Sequence, residues 1–96
     1  MSIDAIVCHR DDTVATAVRD LAPGERARAS GGGEDVLIEL RSQVPFGHKF
    51  ALRDITRGQE VIKYGEIIGL ATSAIRQGEH VHLHNVEGLR GRGDLR

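Results

Sequence analysis

Residues 51–65, ALRDITRGQEVIKYG, and residues 71–85, ATSAIRQGEHVHLHN, are two versions of one pattern, offset by twenty positions. The matched positions are Ala51 and Ala71, Ile55 and Ile75, Gly58 and Gly78, and Val61 and Val81. A reduced version, LAPGE, stands at residues 21–25. A hydrophobic residue, two further residues and a glycine, followed by strand residues, are typical of a turn that leads into a strand. Two or three repetitions are too few for a solenoid, so the pattern predicts a compact, internally pseudo-symmetric β-fold.

Further strands are predicted before this repeat and between its two copies. IDAIVC at residues 3–8 is rich in β-branched residues, and ERARAS (25–30) and EDVLIELR (34–41) flank three glycines at 31–33, which predicts a hairpin. Within EIIGLAT, Gly69 is expected to mark a bulge or a close approach of two backbone segments.

One segment has the spacing of a helix. In HRDDTVATAVRDL (9–21), Asp11 or Asp12 could cap a helix that carries Val14, Ala17, Val18 and Leu21 on one face and ends at Pro23 and Gly24. The predicted fold class is therefore mainly β with one short N-terminal helix. Residues 3–86 are expected to form one domain, and the glycine-rich, charged residues 87–96 a flexible C-terminal tail.

The composition excludes several kinds of partner. The 96 residues carry 13 basic and 14 acidic side chains and a formal net charge of −1, so no long-range field attracts nucleic acid or an anionic membrane. The apolar runs are too short to span a bilayer. A single cysteine and the lack of an apolar leader after Met1 predict a cytoplasmic protein without nucleic-acid or membrane partners.

The segment GEHVHLHNV contains the most prominent candidate site, because His80, His82 and His84 occupy alternate positions. On a strand the three side chains would lie on one face. The strand rise would place the Cα atoms of neighbouring histidines roughly 6–7 Å apart and those of the outer pair roughly 13 Å apart. His80 and His82 could therefore hold a metal ion with a further ligand from elsewhere, such as His48, Asp54, Glu60 or another chain. The alternative is a polar sheet face exposed to solvent or to an interface.

Two other places carry groups that could bind an anion. PFGHK at residues 45–49 holds His48 and Lys49 on a turn, where they could bind an anionic substrate group or be ordinary exposed residues. His9 lies at the junction between the first predicted strand and the predicted helix, where free backbone N–H groups bind anions.

Three motifs in the same order resemble the small N-terminal domain of the altronate/galactarate dehydratase family. They are His9 followed by DDTVATAV, then VPFGHKFALRDITRGQEVIKYGEIIGLAT, then GEHVHLHNVEGLRGRGDL. The resemblance runs from about His9 to Leu95. It implies an SAF-type domain with a β-clip fold.

The resemblance also implies a function. Members of this family are sugar-acid hydro-lyases that remove water to give a 2-keto-3-deoxy acid, usually with a divalent metal such as Fe2+. The small domain is fused to a large catalytic region or forms a separate subunit, so a large catalytic dehydratase chain and a sugar-acid substrate are the expected partners. The candidates for contact with that substrate or chain are His9, His48, Lys49, His80, His82, His84 and Asn85.

Three alternatives stay open at this stage. The sulfolactate sulfo-lyase small subunit is of the same type, and its leaving group is sulfite rather than water. Related SAF modules also occur as non-catalytic binding modules. A third alternative is a structural protein that forms homodimers or trimers.

Overall fold

The computed structural model describes residues 2–88, which form nine short strands. They are β1 (Ala5–Ile6), β2 (Val14–Ala17), β3 (Arg26–Ser30), β4 (Val36–Glu39), β5 (Lys49–Ala51), β6 (Glu60–Lys63), β7 (Glu66–Ala71), β8 (His80–Val81) and β9 (Val86–Gly88). Six strands form one sheet in the order β4-β3-β1-β2-β5-β8, and β6, β7 and β9 form a second. The mainly β prediction is confirmed, and the curled sheets are consistent with a β-clip.

The predicted N-terminal helix is wrong, because residues 14–17 form β2 and the described residues contain no helix. β2 lies between β1 and β5 in the centre of its sheet. β2 is therefore covered on both faces, and its residues Val14, Ala15 and Ala17 are buried. A strand buried on both faces has no polar-apolar alternation to distinguish it from a helix. Val18, assigned to the apolar helix face, is 42% exposed.

Asp12 has a different role from the predicted helix cap. Its carboxylate is buried and accepts hydrogen bonds from the backbone N–H groups of Cys8, His9 and Gly65, at 3.1, 3.0 and 2.8 Å. These bonds tie the turn that precedes β2 to the turn between β6 and β7. The same sequence features that favour a helix cap, a short acidic side chain that accepts backbone N–H bonds, here close a loop.

The predicted hairpin at residues 25–41 is confirmed, since β3 and β4 pair antiparallel on either side of the three glycines. The close approach at Gly69 is confirmed as well. A Cβ atom there would lie 2.5 Å from the carbonyl oxygen of Glu87 in β9. A bulge lies directly beside it in β7, because Val61 pairs with Gly69 and Ile62 pairs with Ile67, which leaves Ile68 as the extra residue.

The repeat occurs four times rather than two or three. The copies span residues 17–25, 40–48, 51–59 and 71–79, with Leu21, Val44, Ile55 and Ile75 as their hydrophobic residues and Gly24, Gly47, Gly58 and Gly78 as their glycines. The four glycines have φ between 84° and 89°, a conformation that side chains with a Cβ atom rarely adopt. Each copy is therefore the same turn.

The copies associate in pairs through reciprocal hydrogen bonds. Ile55 and Ile75 exchange backbone bonds of 2.7 and 2.8 Å, and the glycine of each copy donates to the first residue of the other, over 2.8 and 2.9 Å. Leu21 and Val44 exchange bonds of 2.9 Å in the same way. The fold is built from two such pseudo-twofold pairs, and each pair buries its hydrophobic residues in one of two core clusters.

Glu87 and Gly88, assigned to the tail, belong to β9, while residues 89–96 of the predicted tail lie outside the described residues. Within residues 2–88, no helix is long and apolar enough to cross a membrane.

Candidate functional site

The second copy of the turn differs from the other three in one hydrogen bond, and this difference frees a histidine. In the other copies the residue after the glycine is Glu25, Gln59 or Glu79, and its side chain accepts the N–H that follows the hydrophobic residue, at 2.6, 2.8 and 2.7 Å. In the second copy that position is Pro45, which has no N–H to offer. His48 takes the place of the capping residue, and its ring is available for other contacts.

A tight turn directly after β8 brings the other histidines into reach. Asn85 is buried, accepts the N–H of His82 through Oδ1 at 2.9 Å and donates through Nδ2 to the carbonyl oxygen of His80 at 2.8 Å. The backbone N–H of Asn85 closes the turn on the carbonyl oxygen of His82 at 3.1 Å. Asn85, one of the predicted contact residues, therefore shapes the site from beneath.

The turn overturns the predicted geometry of the histidine triplet. β8 ends at Val81, so His82 and His84 do not continue a strand face. Val81 is fully buried, whereas Leu83, which would lie on the same face of a continuous strand, is 85% exposed. The ring centroids of His80 and His84 lie 5.2 Å apart, although a strand would hold these residues roughly 13 Å apart. The turn folds the extended spacing into a cluster.

His48, His80 and His82 form the centre of the site. Because β5 pairs with β8, the Nδ1 atom of His48 lies 2.9 Å from the Nε2 atom of His80. The ring of His48 stacks on that of His82 at 4.1 Å between centroids, and the rings of His80 and His82 are 5.4 Å apart. We refer to these three side chains as the histidine trio.

The histidine trio has the donor set of a metal site. One ring nitrogen of each residue lies within 4.8 Å of the others, and among the described residues this is the group of His, Cys, Asp or Glu side chains that could hold an ion. Of the further ligands considered above, His48 completes the group. Asp54 instead accepts the N–H of Gln77 at 2.9 Å, and Glu60 is exposed on β6.

The electrostatic surroundings favour the neutral form of two members of the histidine trio, His80 and His82. Burial lowers the pKa of His80 to about 4, with further lowering by His84, His48, His82 and Lys49. Burial, followed by the charges of His48, Lys49 and His84, also lowers the pKa of His82. Neutral imidazole is the form that binds Zn, Fe, Cu and Ni ions. Three imidazoles also leave coordination positions open, as in catalytic sites.

The trio rings are nearly parallel, with interplanar angles of 12° to 21°. A ring nitrogen directs its lone pair along the plane of its ring, so parallel rings do not aim at one point. Binding of one ion by all three side chains therefore requires rotation of at least one ring about its χ2 angle, a broad torsion with a low barrier.

Lys49, the first residue of β5, lies beside the trio. With His82, Leu83 and Gly88 it lines a cavity of about 190 Å3, whose remaining walls are Ile68, Val81 and Val86. Burial, and then the charge of Lys63, lower the pKa of Lys49. The Lys49 side chain is thus a half-buried cation next to the trio.

The structure does not bring every predicted residue to this place. The exposed His84 lies against His80 but outside the trio. His9 packs against Gly65, in the turn between β6 and β7, and its Nδ1 accepts the N–H of Asp11 at 3.1 Å. The sequence grouped His80 with His82 and offered His48 as one of several possible further ligands, but the pairing of β5 with β8 that joins all three is a long-range contact that the spacing along the chain does not encode.

Comparison with known proteins identifies the type of domain. The family model described as the altronate/galactarate dehydratase SAF domain matches residues 3–89. The chain is 42% identical over 82 residues to an altronate dehydratase of Bacillus subtilis, and 46% identical over 80 residues to one of Escherichia coli. The matched regions cover 85% and 83% of this chain but only 16% and 15% of those two dehydratases.

A second type of relative has the size of this chain. This chain is 40% identical over 93 residues to the (2R)-sulfolactate sulfo-lyase subunit alpha of Chromohalobacter salexigens. The matched region covers 94% of this chain and 99% of that subunit. Relatives of this chain are thus either one segment of a much larger dehydratase or one subunit of a lyase. The chain belongs to the altronate/galactarate dehydratase SAF domain family.

Proposed function

We propose that this chain is the SAF component of a metal-dependent lyase that acts on a hydroxylated carboxylic acid together with a larger catalytic chain. Its first candidate reaction is the removal of water from a sugar acid, as the names of the dehydratase relatives indicate for those enzymes. The observation that carries the proposal is the histidine trio, three side chains that could hold a metal ion and that meet on a chain of this family. We keep the predicted cytoplasmic location as part of this proposal.

The donor set of the trio suits a divalent ion such as Fe2+, which His48, His80 and His82 would hold once at least one ring has rotated. An ion bound there would supply Lewis-acid stabilisation of the negative charge that develops when a proton is removed next to a carboxylate. The chain itself favours the neutral imidazoles of His80 and His82 by partial burial, and Asn85 fixes the backbone that carries both of them. These residues hold and orient ligands, while proton removal belongs to the larger chain.

A second candidate reaction is the release of sulfite from sulfolactate. It is favoured by the alignment with nearly the whole length of a sulfo-lyase subunit alpha. Both candidates share the chemistry of elimination next to a carboxylate and differ in the leaving group.

Two exchange experiments test the proposal and separate the candidates. In the first, this chain replaces the matching region of the Bacillus subtilis altronate dehydratase, and formation of 2-keto acid from altronate is assayed with and without added Fe2+. In the second, it replaces subunit alpha of the Chromohalobacter salexigens sulfo-lyase, and sulfite release is assayed. We expect activity in at least one arm, and the active arm assigns the leaving group.

The variants His48→Ala and His82→Ala are compared with His9→Ala as a matched control outside the trio. Loss of activity by a hundredfold or more in the trio variants alone supports the proposal. Inactivity of both folded hybrids, or full activity of both trio variants, contradicts it. Full activity would make the chain a non-catalytic stabilising module.

A further inference from the structure

We propose that Lys49 and the apolar cavity beside it form a binding site for the carboxylate of a small organic acid. The first observation is an uncompensated charge. The side chain of Lys49 is half-buried, and among residues 2–88 no Asp or Glu carboxylate forms an ion pair with it. A partly desolvated ammonium without a counter-ion is unfavourable, so an anion that enters the cavity gains a charge-assisted hydrogen bond.

The second observation is where the lysines lie. Of the 13 basic side chains only two are lysines, Lys49 and Lys63, and they are close enough for the charge of Lys63 to act on Lys49. The ammonium of Lys63 lies 4.9 Å from the centroid of the Tyr64 ring, and no carboxylate of the described residues pairs with it either. The charge of Lys63 therefore adds to the positive potential around Lys49. The site is electropositive although the chain as a whole is slightly acidic.

The third observation is the size and lining of the cavity. At about 190 Å3 it is smaller than the 300–1,000 Å3 typical of drug-sized ligands, so it suits a short acid or one end of a longer one. Its walls are mostly the apolar side chains of Ile68, Val81 and Val86, which lower the local dielectric and strengthen the attraction between ammonium and carboxylate.

The position of the cavity links it to the trio. His82 lines the cavity and also belongs to the histidine trio. A carboxylate bound to Lys49 thus lies beside the groups that we propose hold the ion. A lysine donates as a point charge rather than through the bidentate fork of arginine, which leaves the second carboxylate oxygen free. The choice of an organic acid as ligand rests on the proposed lyase function.

The two lysines make a selective experiment possible. The full chain is labelled with 13C at lysine Cε, and the two signals are followed by NMR during titration with malate, a small 2-hydroxy acid. The dimethyl ester of malate, which lacks the charges, serves as the control ligand. We expect a saturable shift of the Lys49 signal with malate, a smaller shift of the Lys63 signal, and neither with the ester.

Variants fix the assignment and the role of each lysine. Lys49→Met is expected to abolish saturation at the remaining signal, while Lys63→Met weakens malate binding several-fold but retains saturation at Lys49. Thermal unfolding of both variants confirms that they are folded. Equal, linear shifts of both lysine signals at high millimolar malate overturn the proposal. So does saturation that survives Lys49→Met.

This outcome is separable from that of the lyase proposal. Lack of malate binding together with trio-dependent activity of a hybrid rejects the carboxylate site alone. Malate binding at Lys49 together with inactivity of both hybrids rejects the lyase function alone. A third result is a Lys49 signal that does not shift with malate but does shift on assembly with the larger chain. The counter-ion of Lys49 would then be a carboxylate of that chain, and the proposal is rejected in favour of an interface contact.

Discussion

At position 45 a proline decides what the histidine three residues later can do. In the other three copies of the turn, an acidic or amide side chain is held by a backbone N–H. Pro45 removes that N–H, and the ring of His48 reaches His80 instead. The contact of His48 with His80 therefore depends on Pro45. The candidate site lies at the one copy of the turn that lacks the capping hydrogen bond of the other three.

This coupling predicts the behaviour of the double variant Pro45→Ala/His48→Glu. It restores the turn cap found in the other copies, so the fold is expected to stay intact, with the cap contributing about 1 kcal/mol to the free energy of unfolding. Binding of Co2+ to the trio is expected to be lost. Thermal unfolding and the visible spectrum of Co2+ measure the two effects, and a double variant that unfolds or still binds Co2+ contradicts the account.

The lowered pKa of His80 predicts a dependence of stability on pH. The folded chain holds His80 neutral down to about pH 4, whereas the unfolded chain protonates it near 6.5. Between these values the unfolded state binds more protons, so stability is greatest above about pH 6.5 and falls as the pH decreases towards 4. With allowance for partial exposure, we expect a loss of about 1 kcal/mol between pH 7 and 5.

Urea unfolding at several pH values measures this loss. His80→Gln, which cannot titrate, is expected to have a flatter profile over the same window. An unchanged pH profile in this variant would assign the dependence to other groups.

Among the elements, turns and hairpins are easier to predict from the sequence than the long-range pairing of one strand or turn with another. The copies with Ile55 and Ile75 were recognisable because each has the same hydrophobic and glycine positions. The copy with Val44 was not recognised as a repeat, since Pro45 and Phe46 replace the residues typical of its turn. The helix prediction for β2 fails because Val14, Ala17 and Val18 have helical spacing, while a strand buried on both faces lacks the alternation that would identify it.

Two glycines of the repeat form a matched pair that tests how the turns pack on the neighbouring backbone. Gly58 and Gly78 have nearly the same φ, 86° and 89°, but a Cβ atom at Gly58 meets open space and one at Gly78 would lie 2.1 Å from the carbonyl oxygen of Glu39. Gly58→Ala is therefore expected to cost about 1 kcal/mol for the backbone conformation alone. Gly78→Ala is expected to cost about 3 kcal/mol or more because the backbone must also move.

Urea denaturation of the two glycine variants measures the difference. Equal losses of stability would show that the backbone of residues 39–41 does not pack on the fourth copy of the turn as described.

The turn held by Asn85 provides a second test of an element. Asn85→Ala leaves the buried N–H of His82 and the carbonyl oxygen of His80 without their partner, which costs about 1–3 kcal/mol. It should also release His82 from its stack on His48. Imidazole NMR signals report the second effect, and a variant that keeps the stacked signals would separate the turn from the trio.

In the molecule as a whole, two pseudo-twofold pairs of turns form the scaffold that places the histidine trio where β5 pairs with β8. Sequence reasoning found the mainly β class, the family and the individual histidines. It could not find their arrangement, because the distance between His48 and His80 is set by strand pairing across 32 positions of the chain. The exposed Leu83 and Phe46, at 85% and 67%, lie in the turns that carry these histidines.

If the histidine trio is a single metal site, titration of the full chain with Co2+ under anaerobic conditions will detect it. We expect saturable binding of one ion per chain, with a d–d spectrum that is lost in His48→Ala, His80→Ala and His82→Ala and kept in His9→Ala and His84→Ala. The absence of saturable binding, or binding that survives in the trio variants, would contradict this expectation.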